Sequence, residues 1–370
     1  MPGLTERAAR MALSCAMDGG DPAVGELVER LGAQGAWVKI AEGALGEPAA
    51  RRAATTNLEV VDRLAADAGA RFVVPGDEEW PEGLDDLTQT ESIQRRGGRP
   101  VGVWVRGPGH LVAWLERSVA VVGSRAATEY GKGVAADLAA DLTDLGVTVV
   151  SGGAYGIDVS AHRGAMGAGG RTIGVLANGV DVAYPPGNTA VFEALGRDHL
   201  LVSELPPGAH PTRVRFLARN RLIAAMTRGT VVVEAAMRSG ARNTAGWALE
   251  CQRPLMAVPG PVYSLASTAP HLMIRNGQAT LVTSAAEVME LVSEAGQHLI
   301  SLVQGPNRRT DALSQAQLAV FEAVPARRRV SVGDVALAAG VSVPAALAAL
   351  THLDSLGLVD GDERGWLATP

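Results

Sequence analysis

Six short apolar runs recur through the middle of the chain: Ser118–Val122, Val147–Val150, Thr172–Leu176, Leu200–Ser203, Thr230–Val233 and Leu255–Val258. Runs this short, with no polar residue at every second place, suit strands covered on both faces, as in a parallel sheet. Helical patterning fills the gaps, at Glu129–Leu145, Val159–Met166, Thr189–Leu195, Phe216–Met226 and Arg242–Cys251. Repeated strand–helix–strand order predicts an α/β fold with a Rossmann-like parallel sheet. Ser284-Ala285-Ala286-Glu287 has the spacing of a capping box, in which a hydroxyl and a carboxylate satisfy amides at a helix start. It predicts a closing helix to about Ser293.

The flanks read differently. Residues 1–70 have helical periodicity, with Leu27, Leu31 and Val38 on recurring apolar positions, and predict a small helical domain. Residues 71–117 read as a connector in which two short strands, Phe72-Val73-Val74-Pro75 and Val101-Gly102-Val103-Trp104-Val105, flank a turn at Trp80-Pro81. The Rossmann-like core is expected over 118–295, and a linker over 296–312 around Gln304-Gly305-Pro306-Asn307. Residues 313–370 predict three short helices and a hairpin turning through Gly361-Asp362, the order of a winged helix. Its third helix, from Val343 to Leu350, carries no basic side chain, whereas a recognition helix offers Arg, Lys, Asn or Gln to base edges. This last domain is therefore expected to contact protein rather than read DNA.

Composition narrows the chemistry. Cys15 and Cys251 lie far apart and outside any CxxC spacing, which argues against a zinc site or a disulfide framework and fits a reducing cytoplasm. The first residues lack a basic stretch followed by an apolar run and a small-residue cleavage site, and no apolar stretch of about 18 residues is present. The sequence thus predicts a cytoplasmic protein without a membrane span, a metal or a cofactor. Its formal net charge is −6, yet Arg213, Arg215, Arg219, Arg221, Arg228, Arg238 and Arg242 crowd between Pro206 and Ala248 against the single acid Glu234. Arginine's planar fork suits phosphates and stacks on bases, so a local basic patch on an acidic chain points to a polyanion.

The turns after the strands carry the candidate contacts. Gly123-Ser124-Arg125 follows the first strand, where Rossmann-type folds hold phosphate at a helix start. No G-x-G-x-x-G follows, and no carboxylate ends the second strand, so a nicotinamide dinucleotide is not expected. The second strand instead enters Ser151-Gly152-Gly153-Ala154-Tyr155-Gly156-Ile157-Asp158, a second glycine-rich turn. Two such turns side by side could hold successive phosphates of a polymer. Asp158 and His162, four residues apart on one helical face, are expected to share a surface hydrogen bond rather than a metal. Tyr184, near Asn188, is placed to stack on a base or to cap the sheet. The run Arg213 to Ile223 interleaves basic side chains with Phe216. Arg219 and Arg221, two apart on a helix, cannot share a face, so one should reach ligand while the other braces the fold; Asn220 lies between them. After the fifth strand, Ser239, Gly240 and Thr244 open another helix, and Glu234 is either a catalytic acid or, as favoured here, an acceptor for loop and arginine donors.

Taken in order, these motifs resemble the DNA-processing protein A family (DprA, also called Smf). The resemblance rests on Gly123-Ser124-Arg125; Thr128-Glu129-Tyr130-Gly131; Ser151 to Asp158; Gly179-Val180-Asp181 with Tyr184-Pro185 and Asn188; Ser203-Glu204 with Pro207-Gly208; Phe216 with Arg219 to Ala224; Glu234-Ala235 with Ser239-Gly240 and Thr244; and Pro259-Gly260. It spans about Phe72 to Val292. It implies an extended Rossmann core that binds single-stranded DNA without cleaving it, protects incoming strands and loads a RecA-type recombinase during natural transformation, as a homodimer. By the same resemblance Arg125, the Ser151–Gly156 turn and Arg219–Arg221 line the DNA pocket, with Asp158 and Glu234 as support. The chain departs from the family at Pro186, where a basic residue is common, and at Ser267-Thr268-Ala269-Pro270-His271, where Ser-x-Gly-x-Asn is common. A looser resemblance, to Rossmann-like nucleoside monophosphate phosphoribohydrolases with a catalytic Glu near Glu234, keeps an enzyme as the alternative, although the Pro-Gly-Gly start of their loop is missing. A pure scaffold is a third reading, disfavoured by the arginine cluster.

Overall fold

Four helices open the chain: α1 (Glu6–Ala16), α2 (Pro22–Ala41), α3 (Glu47–Thr55) and α4 (Leu58–Ala68). Thr5, Asp21 and Asn57 cap the first, second and fourth by accepting first-turn amides. Gly32, at φ 70°, breaks α2 into two pieces. Ala9, Leu13, Leu27, Ala36 and Ile40 bury their apolar faces in one cluster. The computed structural model describes residues 4–294, 297 and 309–369, in two compact units that divide after residue 300.

Residues 71–117, expected as a connector, belong to the main sheet instead. β1 (Ala70–Val73) pairs antiparallel with β2 (Val103–Arg106), and β2 pairs antiparallel with the fourth core strand. Backbone groups on that strand's open edge need partners, and β2 supplies them. A short helix, α5 (Leu111–Leu115), then leads into the core. There β3 (Ser118–Val122), α6 (Glu129–Asp144), β4 (Thr148–Ser151), α7 (Ile157–Gly167), β5 (Thr172–Leu176), α8 (Thr189–Asp198), β6 (Leu200–Ser203), α9 (Arg213–Met226), β7 (Thr230–Val232), α10 (Ala241–Glu250) and β8 (Leu255–Ala257) alternate as expected. Helix α9 begins before Phe216 because Thr212 accepts the Arg215 amide and starts it there. Three elements were not foreseen: α5, α11 (Thr268–Arg275) and the two-residue strand β9 (Thr280–Leu281). Helix α12 (Ala285–Val292) closes the core with Ser284 as its cap; the Glu287 carboxylate turns to Thr283 rather than completing the capping box.

The strand order is β1-β2-β6-β5-β4-β3-β7-β8-β9, parallel from β6 to β9. Along each strand successive side chains take opposite faces. Ala120, Val122, Val150 and Val232 pack under α9 and α10, while Val119, Val121, Val149 and Val231 pack under α6 and α7. Burial of each of these valines is worth about 1.5–3 kcal/mol, which is why the runs carry no polar face. Strand order reverses between β3 and β7. At such a reversal the loops leaving neighbouring strands diverge to opposite faces and open a crevice at the carboxyl ends.

The second unit holds α13 (Gln315–Glu322), α14 (Val332–Ala339), α15 (Val343–Ser355) and the hairpin β10 (Val359–Asp362) and β11 (Gly365–Ala368). Ser314 with Gln317, and Ser331 with Asp334, form reciprocal capping boxes. Helix, helix, helix and hairpin follow in winged-helix order. The outer face of α15 presents Val343 and Leu347 to solvent, and the hairpin carries Asp360, Asp362 and Glu363. Most of the expected linker, including Gln304 to Asn307, lies outside the described residues. No single described helix is long and apolar enough to cross a membrane.

Candidate nucleic-acid interface

Three loops meet where the strand order reverses. The β3–α6 turn is tied to the loop after β7 by the Ser124 amide, which donates to the Glu234 carbonyl at 2.7 Å. It is tied to the β4–α7 turn by the Ile157 amide, which donates to the Ser124 carbonyl at 3.2 Å. Glycine is required at two points of this junction. Gly156 sits at φ +80°, and a Cβ there would lie 2.3 Å from the Ser124 carbonyl oxygen. A Cβ on Gly152 would lie 2.4 Å from the guanidinium nitrogens of Arg219. The two glycine-rich turns therefore touch each other, as their places on adjacent strands predicted.

Above this junction stands a basic and aromatic cluster. The guanidinium carbon of Arg125 lies 4.5 Å from the centroid of the Phe216 ring. Tyr184 tilts against the same ring, its centroid 5.8 Å from that of Phe216 at 46°. Arg125 and Tyr184 are exposed and Phe216 is half-buried. Among the described residues Arg125 forms no ion pair; it interacts with the buried Asp158 carboxylate only at longer range, and its contact with the ring is worth about 0.5–1 kcal/mol at an exposed site. The Ser124 hydroxyl oxygen accepts from the Ala126 amide at 3.2 Å, leaving its proton free to donate outward. A cation, aromatic faces, a hydroxyl and loop amides thus converge on one rim. Such a set can hold a phosphate while a base stacks beside it.

Several predicted contact residues lie beneath that rim. The expectation that one of Arg219 and Arg221 reaches a ligand is corrected, because both guanidiniums point inward. Arg221 is fully buried; it forms a two-pronged ion pair with Glu204 at 2.8 and 2.7 Å and donates to the carbonyls of Gly98 and Ala218. Arg219 donates to the carbonyls of Gly152, at 2.9 Å, and Val175. Burial pulls the Arg219 guanidinium down to about 10, with Asp158 opposing the shift and Arg125 adding to it. Asn220 is also internal, accepting from Arg219 and donating to Asn243 at 3.2 Å. Ser151 donates to the Val121 carbonyl, Asn188 holds the Gly153 carbonyl at 3.1 Å, and Thr244 is buried. Gly153 and Ala154 belong to the β4–α7 turn itself, while Ser239 and Gly240 sit at the mouth of the β7–α10 loop, half-buried and exposed. The arginine cluster as a whole is less free than its local sequence suggests. Arg215 pairs with Asp18, 197 positions earlier in the chain, at 2.9 Å. Arg228 and Arg242 bond to backbone carbonyls.

Two further buried carboxylates, Glu234 and Asp158, act on loops. Glu234 accepts from the Thr128 amide at 2.9 Å and its hydroxyl at 2.6 Å, fixing the start of α6; the arginines do not reach it. Burial pushes the Asp158 carboxyl above its ordinary range, opposed by Arg219 and by the amides of Ala154 and Gly123. The predicted surface hydrogen bond between Asp158 and His162 is not formed. Helix α7 turns this face to the sheet, and His162 meets Thr172 of β5 at 2.7 Å instead. Burial lowers the His162 imidazole to about 3, so it stays neutral. No cluster of His, Cys, Asp or Glu with metal-holding geometry occurs among the described residues.

Residues 71–293 match the family described as DNA recombination-mediator protein A. The chain belongs to that family. A protein of Mycobacterium tuberculosis H37Rv named for DNA processing (DprA) is 41% identical over 348 residues, covering 92% of this chain and 88% of its own length. DNA processing protein DprA of Streptococcus pneumoniae R6 is 43% identical over 171 residues, 46% of this chain and 60% of that protein. The crystal structure of S. pneumoniae DprA superposes with a TM-score of 0.65 at 31% identity, covering 79% of this chain and 99% of that one. A DprA structure from Helicobacter pylori, described for its single-stranded DNA binding mode, matches at 0.51 and 26%, covering 60% of this chain and 96% of that one. Fold and family agree with the resemblance read from the motifs.

One residue at this rim was not singled out from the sequence. Tyr155, in the middle of the second glycine-rich turn, is exposed, and its hydroxyl accepts from the Gly187 amide at 3.2 Å. It therefore stands between that turn and the Tyr184 loop. The signal was available, since an aromatic residue inside a glycine-rich turn has little core to enter.

Proposed function

We propose that this protein binds single-stranded DNA at the carboxyl edge of its sheet, without catalysis, and passes the strand to a RecA-type recombinase. The observation that carries the reading is Arg125 stacked on Phe216, with Tyr184 beside it, over two contiguous glycine-rich turns. Duplex DNA hides its base faces, whereas a single strand offers both faces and phosphates to such a rim. Contacts are assigned to Ser124, Arg125, the Gly152–Gly156 turn, Tyr184 and Phe216, with Ser239 and Gly240 at the far side. Arg219, Arg221, Asp158 and Glu234 hold the loops in place. Family membership and the relatives named for DNA processing support a role in DNA processing and recombination; action in DNA uptake, in the cytoplasm and as a homodimer is part of the same proposal.

The test is fluorescence anisotropy of labelled oligo-dT and of the matching duplex at several salt concentrations, with wild type and Arg125→Ala. A salt-sensitive preference for the single strand, weakened about tenfold in the variant, is the expected result. Binding to neither DNA would overturn the reading. Faster RecA filament nucleation on coated single strands tests the second half of the proposal. Release of free base from nucleoside monophosphates, abolished in Glu234→Gln, would instead support an enzyme.

A further inference from the structure

The segment Ile93-Gln94-Arg95-Arg96 contributed nothing to the reading of the motifs. In the folded chain it forms a tight hairpin, with Ile93 and Arg96 exchanging backbone hydrogen bonds at 2.9 and 3.0 Å. Its two central residues, Gln94 and Arg95, have φ of 53° and 63°. Successive left-handed residues are the mark of a type I′ turn, a place that ordinarily goes to Asn-Gly because a Cβ is crowded there. Two long side chains are held in this conformation where glycine would be easier. That calls for something in the surroundings to fix the turn, and for a reason to keep the side chains.

The surroundings are those of the carboxyl-edge rim. The Gln94 side-chain oxygen faces the Asn243 amide, 3.5 Å away, in the first turn of α10. Asn243 in turn accepts from Asn220, and Asn220 accepts from Arg219, which holds the Gly152 carbonyl. The base of the hairpin is anchored twice more: the Gly97 amide donates to the Gly20 carbonyl at 3.0 Å, and Arg221 donates to the Gly98 carbonyl at 2.9 Å. Ile93 packs onto the core beside α10. A continuous set of polar contacts therefore runs from the second glycine-rich turn to the hairpin tip.

At that tip Arg95 is exposed and Arg96 half-buried, and among the described residues neither side chain has an acidic partner. Asp85 and Asp86, earlier in the same segment, are paired with Arg99 at 2.9 Å and with Arg253 at 2.7 Å. Glu91, at the foot of the hairpin, is the one remaining acid of the segment from 89 to 99. Exposed Arg238 lies on the β7–α10 loop, and exposed Arg242 stands in the first turn of α10 next to Asn243.

We infer that Arg95 and Arg96 form a second phosphate-binding site for the single strand, taking its sugar-phosphate backbone as it leaves the Arg125–Phe216 rim across the first turns of α9 and α10. This rests on the carboxyl edge being the single-strand site. The rim holds phosphate and base together; the hairpin has no aromatic side chain and holds backbone alone. The left-handed turn fixes the backbone that carries Arg95 and leads into Arg96, so that little loop ordering remains when the strand arrives.

The experiment measures oligo-dT binding by anisotropy against salt, using a long strand and a tetramer that fills only the rim. The double variant Arg95→Gly with Arg96→Gln removes both charges and relieves the turn, because glycine accepts φ near +63°; the paired variant Arg95→Lys with Arg96→Lys keeps the charges. For the neutral variant, the plot of log affinity against log salt is expected to become shallower by about 1.4, at ~0.7 per phosphate contact on single strands. The loss should be confined to the long strand, with no fall in Tm, and the lysine pair should retain most of the affinity. Unchanged slope on the long strand, while Arg125→Ala still weakens binding, overturns this inference alone. Equal losses on tetramer and long strand overturn it too, since the arginines would then act through the shape of the rim. A wild-type protein without salt-sensitive affinity for either strand overturns this inference and the function together.

Discussion

Arg125 and Arg221 were marked by the same cue, a basic residue beside a motif, and the fold uses them in opposite ways. Arg125 stands on a loop at the sheet edge, exposed, with an aromatic ring as its neighbour. Arg221 is fully buried in α9 and is matched oxygen for nitrogen by Glu204 at the end of β6. The first charge stands in no ion pair at an exposed edge; the second is neutralised from within. What separates them is whether the fold brings a carboxylate or carbonyl to the guanidinium, and those partners lie 17 and 123 residues from Arg221 in the chain.

The largest effect should come from breaking the internal member of this comparison. Arg221→Ala leaves the buried Glu204 carboxylate without its ion-pair partner, holding only the Gly20 amide, a change that costs about 3–5 kcal/mol. A large drop in denaturation midpoint is expected, with DNA binding lost only because the protein unfolds. A variant of near wild-type stability would show that Arg221 is not the brace the contacts make it. Phe216→Ala addresses the exposed member. Base stacking on an aromatic ring is worth about 1–3 kcal/mol, so single-strand affinity should fall by about fivefold to about 150-fold. The melting temperature should move little, because the ring is only half-buried. Equal affinity in titrations would remove Phe216 from the interface.

Arg215 lies between these extremes and sharpens the contrast. It neighbours Phe216 and pairs with Asp18 from the loop between α1 and α2, with both side chains partly exposed. Such pairs contribute about 0–1 kcal/mol. Asp18→Ala should therefore reduce stability marginally and, by loosening the start of α9, single-strand affinity by no more than about fivefold. Chemical denaturation and anisotropy on the same samples distinguish the two effects. A larger loss of affinity than of stability would make the N-terminal helices a direct influence on the rim.

The strand–helix alternation was legible because strands covered on both faces must be apolar throughout, and Ser118–Val122 or Thr172–Leu176 satisfy that locally. The glycine-rich turns were legible for a similar reason: Gly156 needs a positive φ and cannot carry a Cβ against Ser124. The edge strands near Phe72 and Val103 were visible as strands, but their place in the sheet was not, since pairing with β6 joins residues about a hundred positions apart. Asp158 and His162 were likewise read as surface neighbours, because a helical pattern reveals a shared face without revealing what that face meets.

By itself, then, the sequence determined the α/β class, the location of the glycine-rich loops at the carboxyl ends of the strands and the family to which the chain belongs. These follow from local rules, namely the two-residue period of a strand, the permissiveness of glycine and the capping of helix starts. Tertiary structure alone decided which arginines remain available and which are locked. A guanidinium's fate depends on the acceptors that packing delivers to it, and those acceptors come from distant segments whose approach no local pattern encodes.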